Sequence, residues 1–216
     1  RIWANEHLKN YLQKGFLIDS DRLKNPNGRT DYFDELLEQI RDIRASEKRF
    51  YQKLKDLFAL CVDYDSSDKA AQMFFANTQN KLLYAVTKQT AAEIIAKRVD
   101  SSKPNMGLTS WKGSIVRKED ILIAKNYLSK DELDSLNRLV NVFLESAELR
   151  VKDNKTLTMD FWRENVDALL SFQGKEILKD NGSIAKEAMQ KIAYKQYEIF
   201  NEKRKEEART KADLED

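Results

Sequence analysis

The chain has 216 residues, with 38 Lys+Arg against 36 Asp+Glu, a formal net charge of +2, and 41% hydrophobic and 34% charged residues. That apolar content suffices for one sizeable core or two small ones, while six glycines and two prolines exclude collagen-like and all-β chains. A net charge so close to zero excludes a global field that recruits nucleic acid or an anionic membrane, and leaves only local patches.

The first segment, "RIWANEHLKNYLQKG", puts Ile2, Trp3, Leu8, Tyr11 and Leu12 on one helical stripe that stops at Gly15. The turn-rich "DSDRLKNPNGRT" follows as a connector, with Pro26 and Gly28 as punctuation, so residues 1–29 are read as the end of a preceding domain. A start at Arg1, without methionine and inside a helical pattern, fits a piece of a longer protein. From Asp31 to about Val62 one long helix is expected, with acids early and bases late, matching the helix macrodipole. "DYDSSD" breaks it, and Ser67 or Asp68 is placed to cap a helix running to about Val86.

Thr90 with Glu93 forms a capping box that starts a short helix ending near Val99. "VDSSKPNMGLTSWKGS" is then a long loop, and a loop carrying Met106, Leu108 and Trp111 is expected to be ordered. Beyond it, "KEDILIAKNYL" is predicted as a short helix, and Ser129 with Glu132 caps a helix to about Val151. Thr158 or Asp160 starts the next, Asn181-Gly182 is a turn, and Ile184 begins a last helix before a charged tail, 201–216, that is expected to fray. "SIVR" is the one stretch that reads as extended. The expected architecture is an all-α bundle over 30–200, with a long antiparallel helical hairpin and an ordered mid-chain loop.

Cys61 is the single cysteine, so no intramolecular disulfide forms; it lies on an apolar seam as a small core residue, and a reducing, cytoplasmic setting is expected. No apolar run approaches the ~20 residues that span a bilayer, so no membrane contact is expected. His7 is the single histidine, which removes Ser-His-Asp and Cys-His arrangements and the common zinc sites. There is no P-loop and no GxGxxG, and no cofactor or metal is expected.

Leu36, Ile40, Ile43, Glu47, Phe50, Leu54, Leu57 and Cys61 follow a heptad seam in which Glu47 stands where leucine belongs. A buried carboxylate needs a partner, and Arg44, one turn earlier, is the nearest. In the next helix "NTQNK", Asn77 to Lys81, is polar all round between apolar flanks. A hairpin would bring Glu47 level with residue 82 and join Arg44, Glu47, Tyr51, Asn77, Asn80 and Lys81 in one polar layer, with Arg41 just beyond. The layer reads as a register-fixing network, as a simple solvated groove, or as a site where cations hold an anion while Glu47 or Tyr51 moves a proton. Asn105, Trp111 and Lys112 of the loop are expected to lie over it as a lid or wall. Trp111, Lys112, Arg117 and Lys118 are the one basic-aromatic cluster suited to a nucleic-acid backbone, with Trp111 as a loop anchor on the alternative reading.

"YFDELLEQIRDIRASEKRFYQKLKDLFALCVDYD", "AQMFFANTQNKLLYAVTKQTAAEIIAKRVDSSKPNMGLTSWKG" and "IAKNYLSKDELDSLNRLVNVFLESAEL" resemble the RhuM family of bacterial virulence-associated proteins, over roughly Arg1 to Phe200. The resemblance implies a setting on pathogenicity islands or other mobile elements, and a small DNA-binding domain ahead of the segment seen here. Related proteins carry a Fic-type module, whose HPFxxGNGR signature this chain lacks. Histidines often precede "TAAEII" in the family, where this chain has "VTKQ", so no histidine chemistry transfers. The expected role is an effector or interaction module with a protein partner or a second copy. DNA contact is expected mainly through the missing domain. The alternative is an enzyme, a nuclease or nucleotide-modifying toxin, using the polar layer.

Overall fold

The computed structural model describes residues 1–64, 68–153 and 156–215; these carry nine α-helices and no strand, an all-α fold. Two compact units divide the chain after Ile43.

The unit Arg1–Ile43 contains α1 (Ile2–Lys14), α2 (Ser20–Lys24) and most of α3 (Phe33–Arg44). Gly15 ends α1 in the left-handed conformation, φ 78°, and its N–H donates to the Tyr11 carbonyl, the cap its sequence announces. Asp19 caps α2 by accepting from the Arg22 N–H. No residue of this unit is buried.

The unit from Arg44 onward holds α4 (Glu47–Phe58), α5 (Asp68–Thr87), α6 (Ala91–Arg98), α7 (Lys130–Lys152), α8 (Met159–Phe172) and α9 (Lys186–Glu215). The single helix expected from Asp31 to Val62 is two helices, interrupted at Ala45 and Ser46. Ser46 is extended, φ −61° and ψ 141°, and its carbonyl accepts from the Phe50 N–H, so it begins α4 as an N-cap. After this break Phe50, Leu54, Leu57 and Cys61 are buried as the heptad spacing requires. The turn expected around Tyr64 and Asp65 and the cap at Ser67 fall partly or wholly outside the described residues.

α5 packs against α4, α7 and α8, and its Leu82 and Leu83 share a core with Phe58, Phe143, Leu144 and Trp162. The Trp162 Nε1–H points at the Cys61 sulfur, 3.2 Å away, and burial pushes the thiol pKa up. Cys61 is thus a core residue with a satisfied neighbour.

Between α6 and α7 the chain is tied by side chains. Asn105, Met106 and Gly107 are all left-handed, with φ 52°, 59° and 79°. Gly107 adopts this without steric cost, and a Cβ there would lie 2.7 Å from the Arg98 carbonyl oxygen, whereas Met106 is held in the strained region with its side chain fully buried. "KEDILIAKNYL" is not an α-helix but two 3-10 turns, Asp120–Leu122 and Ala124–Tyr127. The reason lies in its polar side chains: buried Asp120 accepts from the N–H groups of Arg117 and Lys112, and Asn126 and Tyr127 donate to the carbonyls of Asp120 and Ile121.

These turns and the loop before them rest on α6 and α9. Gln196 of α9 accepts from the Ser101 N–H, Tyr194 lies 4.4 Å under the Lys118 ammonium, and Arg204 donates to the Val116 carbonyl. α9 runs through the charged tail segment to Glu215, and Arg204 within it makes a tertiary contact. Among the described residues no helix is long and apolar enough to cross a membrane.

Candidate functional site

One face of α5 carries Phe74, Asn77, Thr78, Asn80 and Lys81, and this face forms the floor and one wall of a cleft of about 530 Å³. Helical spacing explains the grouping, since positions three, four and seven apart share a side. Arg163, Val166 and Asp167 of α8 form the second wall by the same rule, and the segment Ile177–Asn181 forms the third.

Across the cleft the Lys81 ammonium meets both Asp167 oxygens at 2.6 and 2.8 Å. Asn80 is oriented by its Oδ1, which accepts from the Ala91 N–H in the first turn of α6 at 2.9 Å, leaving its Nδ2 hydrogens for another partner. Arg163 pairs with Asp160 at 2.6 Å. Among the described residues the side chains of Asn77, Lys179 and Asn181 make no hydrogen bond or ion pair.

The third wall is held at both ends. Lys88 pairs with Glu176 at 3.2 Å where the strap begins. Where it ends, Glu93 takes over: its carboxylate completes the capping box with the N–H and hydroxyl of Thr90, and also accepts from the N–H and hydroxyl of Ser183. Burial pushes the Glu93 pKa up, but the hydrogen bonds from Ser183 and Thr90 outweigh it and hold the group down at about 2. Gly182 sits between them at φ 81°, where a Cβ would lie 2.6 Å from the Thr90 methyl.

Of the residues expected in one polar layer, Asn77, Asn80 and Lys81 line this cleft and the others do not. Arg44 turns to α7, where it bonds Glu145 and, at 2.8 Å, Glu148, which Lys53 also approaches at 3.3 Å. Burial works against the Arg44 charge, and the two glutamates outweigh it, raising its pKa. Glu47 is not a buried carboxylate paired with Arg44. The break at Ser46 makes it the first residue of α4, exposed to water and favoured by the positive end of the helix.

Glu47 does come level with Leu82, on the rim of a separate pocket of about 80 Å³ that also includes Gln79, Lys125 and Asn126. Tyr51 stacks edge-on against Phe75, 5.0 Å between centroids, with Lys55 at 5.8 Å. Arg41 belongs to the other unit. The loop residues are elsewhere too: Trp111 is half-buried against the core, Lys112 is exposed with its N–H on Asp120, and Asn105 is exposed at its left-handed turn. None of the three lines the cleft, so the expected lid is replaced by the strap 177–183. The only sequence signal for that strap is the Asn181-Gly182 turn.

Among the described residues no three His, Cys, Asp or Glu are grouped to hold a metal ion. What the cleft offers is carboxamides, one neutralised ion pair and a cation-bearing rim over Phe74, Val166 and Ile177. The sequence model of the Virulence protein RhuM family matches residues 1–208. No curated protein and no solved structure matches the chain.

Proposed function

The chain belongs to the RhuM family of virulence proteins, and we infer that its role there is that of a helical interaction module that self-associates through the unit Arg1–Ile43. The observation that carries this reading is the exposure of that unit's apolar residues: Trp3 is 70% exposed, Leu8 56% and Leu12 73%, with Ile2, Tyr11, Phe16 and Leu17 also open. So short a unit with no buried residue, no cysteine and no metal cluster lacks the means by which small domains hold themselves together, and a covering partner supplies it.

A second copy suits the surface. The same unit carries a groove of about 330 Å³ lined by the apolar Leu17, Ile18, Leu23, Tyr32 and Leu36, with Asp19, Glu35 and Arg22 among its polar residues. α1 brings Lys9 and Lys14, with one acid, Glu6, beside an apolar stripe, and the first half of α3 brings Asp34, Glu35 and Glu38. Reciprocal seating of α1 against the groove of the other copy gives a closed two-fold contact. The effector role, the mobile-element setting and DNA contact through a neighbouring domain belong to the same proposal and lean on the family resemblance, and a cytoplasmic location leans on the single cysteine. An enzyme built on Arg44, Glu47 and Lys81 is disfavoured, because these side chains serve three different places.

Light scattering behind size exclusion tests this. A dimer that dissociates on dilution is expected, and Trp3→Asp, Leu8→Asp and Leu12→Asp together are expected to leave a monomer of unchanged helicity. A parent chain that stays monomeric at every accessible concentration overturns it.

A further inference from the structure

We propose that the cleft between α5, α8 and the strap 177–183 binds a short extended peptide segment bearing an acidic side chain, donated by a partner protein. Four features point to that ligand.

The unspent hydrogen-bonding capacity is rich in donors. Asn80 has used its oxygen on Ala91 and keeps its Nδ2 hydrogens; Asn77 and Asn181 keep whole carboxamides; Lys179 keeps its ammonium; Arg163 spends one guanidinium nitrogen on Asp160. Of the carboxylates in the lining, Asp167 is held by Lys81, while Asp180 takes the Gly182 N–H on one oxygen and keeps its charge. A ligand with several acceptors, one of them a carboxylate within reach of the Lys179 ammonium, complements that surplus of donors.

Carboxamides are also the side chains that match a peptide group, since each presents a donor and an acceptor in one plane. Asn77 and Asn80 are three apart on α5, with Asn181 on the strap. From Phe74 to Lys81 the lining face spans ~10 Å of helix at ~1.5 Å per residue, about the reach of three extended residues at ~3.3 Å each.

A nucleotide fits less well. The one aromatic ring in the lining is Phe74, which is buried and packed edge-on against Phe58 at 4.7 Å, so it offers no face for a base. The lining comes from the middle of two helices and a strap, and contains no start of a helix to hold a phosphate.

Finally, the walls are in place before a ligand arrives. The Lys81–Asp167 bridge joins α5 to α8, Glu93 pins the far end of the strap, and the exposed Lys88–Glu176 pair lies at its start. A rigid cleft spends little binding energy on ordering itself.

This inference is independent of self-association, because the variant that opens the Arg1–Ile43 contact leaves every cleft residue untouched. The test pans a phage-displayed random heptapeptide library against the full chain and measures synthetic copies of the enriched peptides by fluorescence polarisation. Enrichment of Asp- or Glu-containing peptides is expected, with affinity falling about tenfold or more in Lys179→Glu and in Asn77→Leu. Both positions are exposed, so folding is retained, and Lys130→Glu at the start of α7 is the unaffected control. Three outcomes overturn the proposal: no enrichment, enriched peptides that bind both variants as tightly as the parent, or displacement of the peptide by AMP or inorganic phosphate.

Discussion

Ser183 donates both its backbone N–H, at 2.9 Å, and its hydroxyl to the carboxylate of Glu93, a residue ninety positions earlier in the chain. One glutamate thereby starts α6 and fastens the wall of the cleft. Its charge is buried among four donors, so loss of the charge loosens two structures together.

This gives a prediction with a defined sign. A folded pKa of about 2 against an ordinary 4.5 means that the ionised group stabilises the fold fully above pH 4.5. That contribution, ~3 kcal/mol, is lost as pH falls from about 4.5 towards 2. Glu93→Gln should lower stability at pH 7 by about 2–3 kcal/mol and flatten the acid limb of the stability curve. Urea titrations at pH 7 and pH 3 read both effects; a variant with the parent's acid limb contradicts the linkage.

The Lys81–Asp167 bridge is only partly shielded, with side chains 23% and 37% exposed. Its coupling energy, from Lys81→Met, Asp167→Ala and the double variant, should be about 1 kcal/mol and should shrink in 1 M salt. A coupling near zero would mean that α5 and α8 are aligned by apolar packing alone.

Glu47 at the start of α4 makes a different prediction from Glu47 in a seam. Exposed there, it interacts with the helix dipole, so Glu47→Ala should cost about 0.3–1 kcal/mol by denaturant midpoint. A loss of ~3–5 kcal/mol is what breaking a buried ion pair produces, and it would restore the seam reading.

At Gly107 a side chain meets both a left-handed backbone and the Arg98 carbonyl. Gly107→Ala should destabilise by more than ~1 kcal/mol and lower Tm by several degrees, whereas Gly174→Ala, with open space around it, should cost less.

Much of the fold is readable because its signals are local. The boxes at Thr90/Glu93 and Ser129/Glu132, the cap at Thr158 and the stop at Gly15 all lie within four residues of the groups they satisfy. Ser46 carries the same kind of signal, but a continuous heptad spacing masks it, since the seam resumes in register beyond the break. The cleft is half readable. Asn77, Asn80 and Lys81 show as a polar interruption in an apolar helix, while Asp167, 86 positions from Lys81, and the strap carry no mark that ties them to it. Glu132 behaves likewise: its box is visible, and its two-pronged bridge to Arg98, at 2.6 and 2.7 Å, is not.

The distance along the chain between Glu93 and Ser183 also sets a clock. During synthesis α5 and α6 leave the ribosome with only the floor of the cleft, because α8 and the strap are still unmade. At ~5–20 residues per second the last wall follows Lys81 by ~5–20 s. For that interval Glu93 is a half-satisfied carboxylate and Lys81 an unpaired cation. A chain that stops at Phe172 would hold Asp167 for Lys81 but leave Glu93 without Ser183, so premature termination should yield a helical product whose cleft lacks its third wall.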